Sequence, residues 1–196
     1  MIHPRTRVSF ISELVCDGVL ALADIPRGTI VWTQDALDQV FDQAALDRFP
    51  PAIRAQVDRY AHRDALGRAV LCWDAGRYVN HHCDPALRGV GPWFMVARRD
   101  IAAGEEITCD YAECNLDEAL MCECADPACR GQVHGRDLLR HAGPWDAEAR
   151  ELAGLLRTVN QPLWPYLLDP AQAEALREGQ QDPISFRDQC AYKGGK

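Results

Sequence analysis

Lysine is almost missing from this chain. Only Lys193 and Lys196 occur, so nearly all of the 21 basic residues are arginine, and 29 acidic residues outweigh them to a net charge of −8. That balance disfavours a nucleic-acid surface, since phosphate binding relies on clustered Lys and Arg that release counterions. Net acidity suits two other readings equally: attraction of a basic partner over a Debye length of about 8 Å, or simple solubility. Long hydrophobic runs are missing too. No stretch of about 18 apolar residues appears, and no charged segment followed by an apolar one opens the chain. No membrane association is therefore expected, and the chain reads as intracellular and soluble, cytoplasmic or, in a eukaryote, nuclear. Internal repeats and low-complexity tracts are absent as well.

Cysteine, by contrast, is plentiful. A chain of 196 residues fits one domain, with or without an appendage, and can bury a core without staples, so its nine cysteines need another explanation. In a reducing compartment clustered cysteines hold metal more often than they form disulfides. Cys122, Cys124 and Cys129 form Cys-x-Cys-x4-Cys, three soft ligands where tetrahedral zinc takes four, and the upstream candidate for the fourth is Cys83, inside the Asn80-His81 motif. An iron–sulfur cluster and plain reduced thiols are the alternatives. Cys16, Cys72, Cys114 and Cys190 read as small buried or free thiols.

The hydrophobic pattern changes along the chain. Short runs with turn residues between them predict strands over 8–11, 18–22, 29–32, 68–73 and 94–97, with turns at Pro26-Arg27-Gly28 and Asp64-Ala65-Leu66-Gly67. From Asp35 to about His62 the spacing becomes helical, through Leu37, Val40, Phe41, Ala44 and Ala45, then Ile53, Val57 and Tyr60. Pro50-Pro51 interrupts it, so two helices are predicted. Helical spacing returns over 146–159 and 170–178. Asp146 follows Pro144-Trp145 as a partial cap, and the tail after Asp182 is expected to be loose.

Three motifs stand in order: Asn80-His81-x-Cys83-x-Pro85, then Gly104-Glu105-Glu106-Ile107-x-x-Asp110-Tyr111, then the cysteine cluster. Together they resemble a SET domain with its post-SET zinc site, from about Arg7 to about Gly135. The resemblance implies a mainly β fold with helical additions: a β-clip with a pseudoknot that brings the Asn-His and Asp-Tyr motifs together. It divides the chain into a SET domain over 7–118 with a variable insert at about 35–62, a zinc-binding segment over 119–135 and a helical appendage over 136–182. It also implies methyl transfer from S-adenosylmethionine to lysine in a basic protein or peptide. Tyr111 matches the catalytic tyrosine. Gly18, Asn80 and His81 match cofactor-binding positions, and Arg77 precedes the pair at the family's spacing. Cys83, Cys122, Cys124 and Cys129 would hold one structural zinc. Tyr60, Trp73 and Cys109 are candidates to border a lysine channel, although ordinary core packing is the bland reading of the two aromatics.

Several positions depart from the family pattern. Cys16 stands where a first glycine is usual, so the cofactor loop is either differently shaped or shifted by a residue or two. His82 and Ala86 replace a Ser and an Asn. Gln132 occupies a position often taken by an aromatic that packs on the cofactor, with Trp145 as a candidate substitute. A zinc-stabilised SET fold without catalysis, and an enzyme acting on a small-molecule amine, are the rival readings.

Overall fold

The computed structural model describes residues 1–192. The chain opens as an antiparallel hairpin of β1 (Thr6–Ser12) and β2 (Cys16–Ala21), followed by β3 (Ile30–Thr33). Pro26-Arg27-Gly28 makes the turn into β3. The Thr29 amide donates to the Pro26 carbonyl, and Gly28 takes φ +91°, a conformation that L side chains rarely adopt.

The insert is less helical than its sequence spacing predicts. β4 (Gln39–Phe41) comes first, then α1 (Gln43–Leu46), α2 (Pro51–Tyr60), β5 (Ala61–Arg63) and β6 (Ala69–Leu71), with sheet order β4-β6-β5. The first predicted helix is thus mostly a strand and a single capped turn. Leu37 and Val40 point to solvent, so the helical spacing marks no buried face there. Only Leu46, Val57 and Ala69 form the insert's own small core. α2 starts where expected, because Pro51 at its first position lacks an N–H that would be unpaired in any case.

Four further strands follow: β7 (Asn80–His81), β8 (Leu87–Gly89), β9 (Phe94–Ala97) and β10 (Glu106–Cys109). They complete two sheets, ordered β1-β2-β10-β7 and β3-β9-β8. β7 and β10 pair in parallel, with Thr108 opposite Asn80 and Cys109 opposite His81. A small ladder of β11 (Leu120–Met121) and β12 (Gln132–Val133) brackets the last three clustered cysteines.

The C-terminal part is helical: α3 (Asp137–Leu155), α4 (Pro170–Arg177) and α5 (Phe186–Gln189). α3 begins well before the predicted start and runs through Pro144, at the cost of one backbone hydrogen bond. Asp146 therefore caps nothing. Its carboxylate instead accepts the Ser185 hydroxyl at 2.7 Å and the Phe186 amide at 2.8 Å. This anchor corrects the expectation of a loose tail: Phe186 and Cys190 are fully buried, while Lys193-Gly194-Gly195-Lys196 lie outside the described residues.

One hydrophobic core joins the helices to the sheet. Ile30, Phe94 and Val96 pack with Leu138, Trp145, Leu152, Leu156 and Phe186. Each such buried side chain contributes about 1.5–3 kcal/mol, so the helices are integral to the same folding unit as β3, β8 and β9. Gln161 adds a polar tie, accepting the Ile30 amide and donating to the Gly28 carbonyl, both at 2.8 Å. A second core of Val19, Ile25, Leu87, Ile101, Ile107 and Cys109 lies beneath the other sheet. Among the described residues no helix is long and apolar enough to cross a membrane.

Candidate active site

Parallel pairing of β7 and β10 brings residues about 30 apart in sequence side by side. Asp110 ends β10 and caps the 3-10 turn 111–114, accepting the Ala112 amide at 3.0 Å. His81 holds the same turn from the other strand: its Nδ1 accepts the Tyr111 amide at 3.1 Å. With Nδ1 accepting, the ring proton sits on Nε2, which faces Cys83 Sγ at 3.4 Å. Burial keeps the His81 pKa below its ordinary value, so the imidazole acts as a neutral bracket.

Asn80 is fixed with equal care. Its Nδ2 donates to the Asp17 carbonyl at 3.0 Å and to Glu106 Oε1 at 2.9 Å. Gly18 makes room for this arrangement. A Cβ there would lie 2.5 Å from Glu106 Oε1, 2.7 Å from Ile11 Cγ1 and 2.8 Å from Asn80 Nδ2. Cys16 has φ +61°, the left-handed region that favours glycine. The hairpin thus keeps a glycine-like backbone at position 16 although the residue is not glycine.

Two cavities meet at Tyr111. The larger, about 740 Å³, is bordered by Trp32, Tyr60, His62, Cys109, Tyr111 and Glu113, among others. The smaller, about 120 Å³, lies against Val15, Cys16, Asp17, Tyr78 and Asn80. Tyr60, Tyr111, Arg59 and Arg77 border both. The Tyr111 hydroxyl donates to the Val79 carbonyl at 3.0 Å, and burial holds its pKa far above the usual phenol range. Cys109 is buried beside it, its thiol pKa raised first by a hydrogen bond with Cys114 and then by burial.

Tyr60 and Cys109 therefore border the larger cavity, whereas Trp73 does not. Trp73 is 43% exposed and its indole N–H donates to Asp35 at 3.0 Å, so the sequence expectation for it is corrected. Trp32 is the tryptophan on the wall, with the His62 ring edge-on to it at 5.5 Å. Arg77 directs its guanidinium to the carbonyls of Trp73 and Asp74, a local brace.

The four cysteines converge. Sγ atoms of Cys83, Cys122, Cys124 and Cys129 all lie within 4.8 Å of one another, with Cys83 to Cys122 at 3.8 Å and Cys129 to Cys122 at 3.6 Å. Zinc–sulfur bonds of about 2.3 Å in a tetrahedron place sulfurs about 3.8 Å apart, so the donor set fits a closed zinc site. Backbone amides of Arg130 and Gly131 point at Cys83 and Cys129 Sγ, each at 3.4 Å, which suits thiolate acceptors. Trp145 borders neither cavity. It is buried in the helical core between Arg88, His141 and Phe186, which corrects its candidacy as a cofactor-packing aromatic.

Sequence reasoning missed three contributors. Glu106 stands in the second motif with no role read for it, and its carboxylate orients Asn80. Arg130, directly after Cys129, reaches Asp110 at 2.7 Å and so ties the cysteine cluster to the Tyr111 turn. Glu113, on the same turn, is buried against Arg88, and burial pushes its carboxyl up to about 7 despite that guanidinium. Position next to a motif residue was the only available signal for each.

Residues 17–112 match the family model of the SET domain. Over 63 residues, 29% of this chain and 6% of the relative, the sequence is 38% identical to histone-lysine N-methyltransferase ATX2 of Arabidopsis thaliana. Over 165 residues, 74% of this chain and 20% of the relative, it is 26% identical to the H3 lysine-36 specific histone-lysine N-methyltransferase of Schizosaccharomyces pombe. Among solved structures, the methyltransferase domain of human histone-lysine N-methyltransferase SETMAR aligns with TM-score 0.48 and 18% identity, covering 68% of this chain and 58% of that one. The chain thus spans no more than a fifth of the length of these two sequence relatives.

Proposed function

We propose, from the premise that the chain belongs to the SET-domain family, that it transfers a methyl group from S-adenosylmethionine to the side-chain amine of lysine in a protein or peptide. The observation that carries this reading is the meeting of two cavities at the neutral hydroxyl of half-buried Tyr111, with Asn80 beside the smaller, Cys109 beside the larger and Tyr60 beside both. The smaller cavity is the cofactor side in this reading, and Gly18, Asn80 and His81 hold the cofactor. Asn80 presents a carbonyl oxygen whose amide partner is already spent on Asp17 and Glu106. The bound cofactor supplies an electrophilic methyl on a sulfonium.

The acceptor must arrive neutral, yet free lysine has a pKa of about 10.4. Low-dielectric walls disfavour the ammonium form, and the open, larger cavity gives the proton a path to water. Tyr111 does not take that proton, because its own raised pKa keeps the hydroxyl protonated and donating to Val79. Its oxygen lone pairs remain free to accept an amine N–H, which orients the nitrogen for in-line attack. Catalysis by positioning explains why no Ser-His-Asp set is present. The cysteine cluster, read as a structural zinc site of Cys83, Cys122, Cys124 and Cys129, fixes the segment behind Tyr111.

Calorimetric titration of zinc-loaded protein with S-adenosylhomocysteine tests the reading. One-to-one binding supports the enzyme, and no binding supports the rival of a SET fold that has lost catalysis.

A further inference from the structure

Two acid–arginine–acid bridges run from α3 to the turn that carries Tyr111. On one side Arg130 donates to Asp110 at 2.7 Å and reaches Asp137 of α3 at 3.6 Å. On the other side Arg88 bonds Glu113 and donates to Glu148 of α3 at 2.8 Å. Asp110 and Glu113 flank Tyr111 in sequence. The apolar underside of the turn belongs to α3 as well, since Ala112 is fully buried in one core with Leu138, Ala142, Trp145 and Ala149. The Arg88 guanidinium lies 4.2 Å from the centre of the Trp145 ring.

We infer that α3, which lies outside residues 17–112 matched to the family, is a positioning element for Tyr111 rather than an appendage, and that it acts through Asp137 and Glu148. The inference rests on the methyltransferase reading for its kinetic consequence. Its structural content stands without turnover. A guanidinium held at both ends has its fork direction fixed, and each fork holds a carboxylate that in turn fixes the backbone: Asp110 accepts the Ala112 amide, and Glu113 accepts the Gly89 amide at 2.8 Å. Releasing the α3 end lets the arginine swing and the turn follow.

Glu148 also accepts from Arg98 at 2.7 Å, and Arg98 reaches Asp84, next to Cys83, at 2.6 Å. The helix therefore spans the Tyr111 turn and the loop that brings Cys83 to the cluster. Glu151, one turn further along α3, supplies a control. It makes an exposed ion pair with Arg27 at 2.7 Å, and Arg27 meets Arg98 through the backbone carbonyl at 2.9 Å rather than through the guanidinium that Glu148 holds.

The test uses Asp137→Asn and Glu148→Gln, singly and together, with Glu151→Gln alongside. The substitutions keep side-chain shape and remove charge. Three quantities are read: kcat with saturating cofactor and acceptor, bound zinc, and the Tyr111 signal in spectra of protein with carbon-13 labelled tyrosine rings, assigned with Tyr111→Phe. The double variant is expected to lose about tenfold or more in kcat, with cofactor KM and zinc content unchanged and the Tyr111 signal shifted or broadened. Glu151→Gln should change none of them. Wild-type kcat and an unmoved Tyr111 signal in the double variant would overturn the inference, as would an equal loss in Glu151→Gln. If the double variant does not fold, the single variants carry the same reading. If the wild-type protein transfers no methyl group, the ring signal still decides the positional claim, separately from the reaction.

Discussion

Gly18→Ala perturbs the site with a single methyl group. The added Cβ would meet Glu106 Oε1 at 2.5 Å, Ile11 Cγ1 at 2.7 Å and Asn80 Nδ2 at 2.8 Å, all closer than real contacts allow. A flexible side-chain end would move at small cost, but Glu106 and Asn80 hold each other at 2.9 Å and Ile11 Cγ1 lies near its backbone. Overpacking of this kind costs about 1–3 kcal/mol. Parting Asn80 from the Glu106 carboxylate removes a charge-assisted hydrogen bond of similar worth. Relief of the clash by either route, at about 2 kcal/mol, lowers the melting temperature by about 4–8 °C in a chain of this size. Displacement of Asn80 should weaken S-adenosylhomocysteine about 10- to 100-fold, since each tenfold is about 1.4 kcal/mol. Calorimetry measures the affinity and a thermal melt the stability. Wild-type affinity in a folded Gly18→Ala protein would refute the close-packed account of Gly18, Asn80 and Glu106.

Tyr111→Phe should abolish transfer while leaving folding and cofactor binding nearly intact, because only one hydroxyl is removed; near-wild-type turnover would remove Tyr111 from its role. Cys122→Ser should release zinc and loosen the segment around it, whereas Cys114→Ser should retain the metal, both read by metal analysis; equal zinc in both would contradict the four-cysteine assignment. If the methyltransferase reading holds, the wild-type protein should proceed beyond monomethylation, because Cys109 leaves more space beside Tyr111 than an aromatic would, and Cys109→Tyr should favour monomethyl-lysine; a wild type that stops at one methyl in product mass spectra would refute this. His62 is half-buried in the cavity wall, where desolvation lowers its pKa from 6.5 to about 4, so the fold holds it neutral and loses stability as pH falls from about 6.5 to about 4. The full shift is an upper bound of about 3 kcal/mol. Urea melts at the two ends of that window should differ less for His62→Gln; an unchanged difference would exclude His62 as the source.

Legibility in the sequence followed the range of the interaction. The strands β1, β2, β3 and β9 announce themselves through short apolar runs and turn residues, and the ordered motifs pointed to the residues that β7 and β10 bring together. Cys83 was legible through its place beside Asn80-His81, although Cys109 and Cys114 lie nearer the cluster in sequence. The insert was misread because spacing at Leu37, Val40 and Phe41 imitates a helix face, although Leu37 and Val40 are exposed and only Phe41 of the three packs on the insert's core. α3 was cut short because Pro144 reads as a boundary, although tertiary packing of Leu138, Ala142 and Trp145 outweighs one lost hydrogen bond. Long-range polar partners left no local trace: nothing near Glu148 in sequence names Arg88, and nothing near Asp146 names Ser185.

The most direct measurement incubates zinc-loaded protein with isotope-labelled S-adenosylmethionine and a panel of lysine-containing proteins and peptides, and reads products by mass spectrometry. The account predicts labelled methyl groups on a lysine side chain of at least one acceptor, dependent on Tyr111. Cofactor binding with no label on any lysine, or label confined to small-molecule amines, would contradict it.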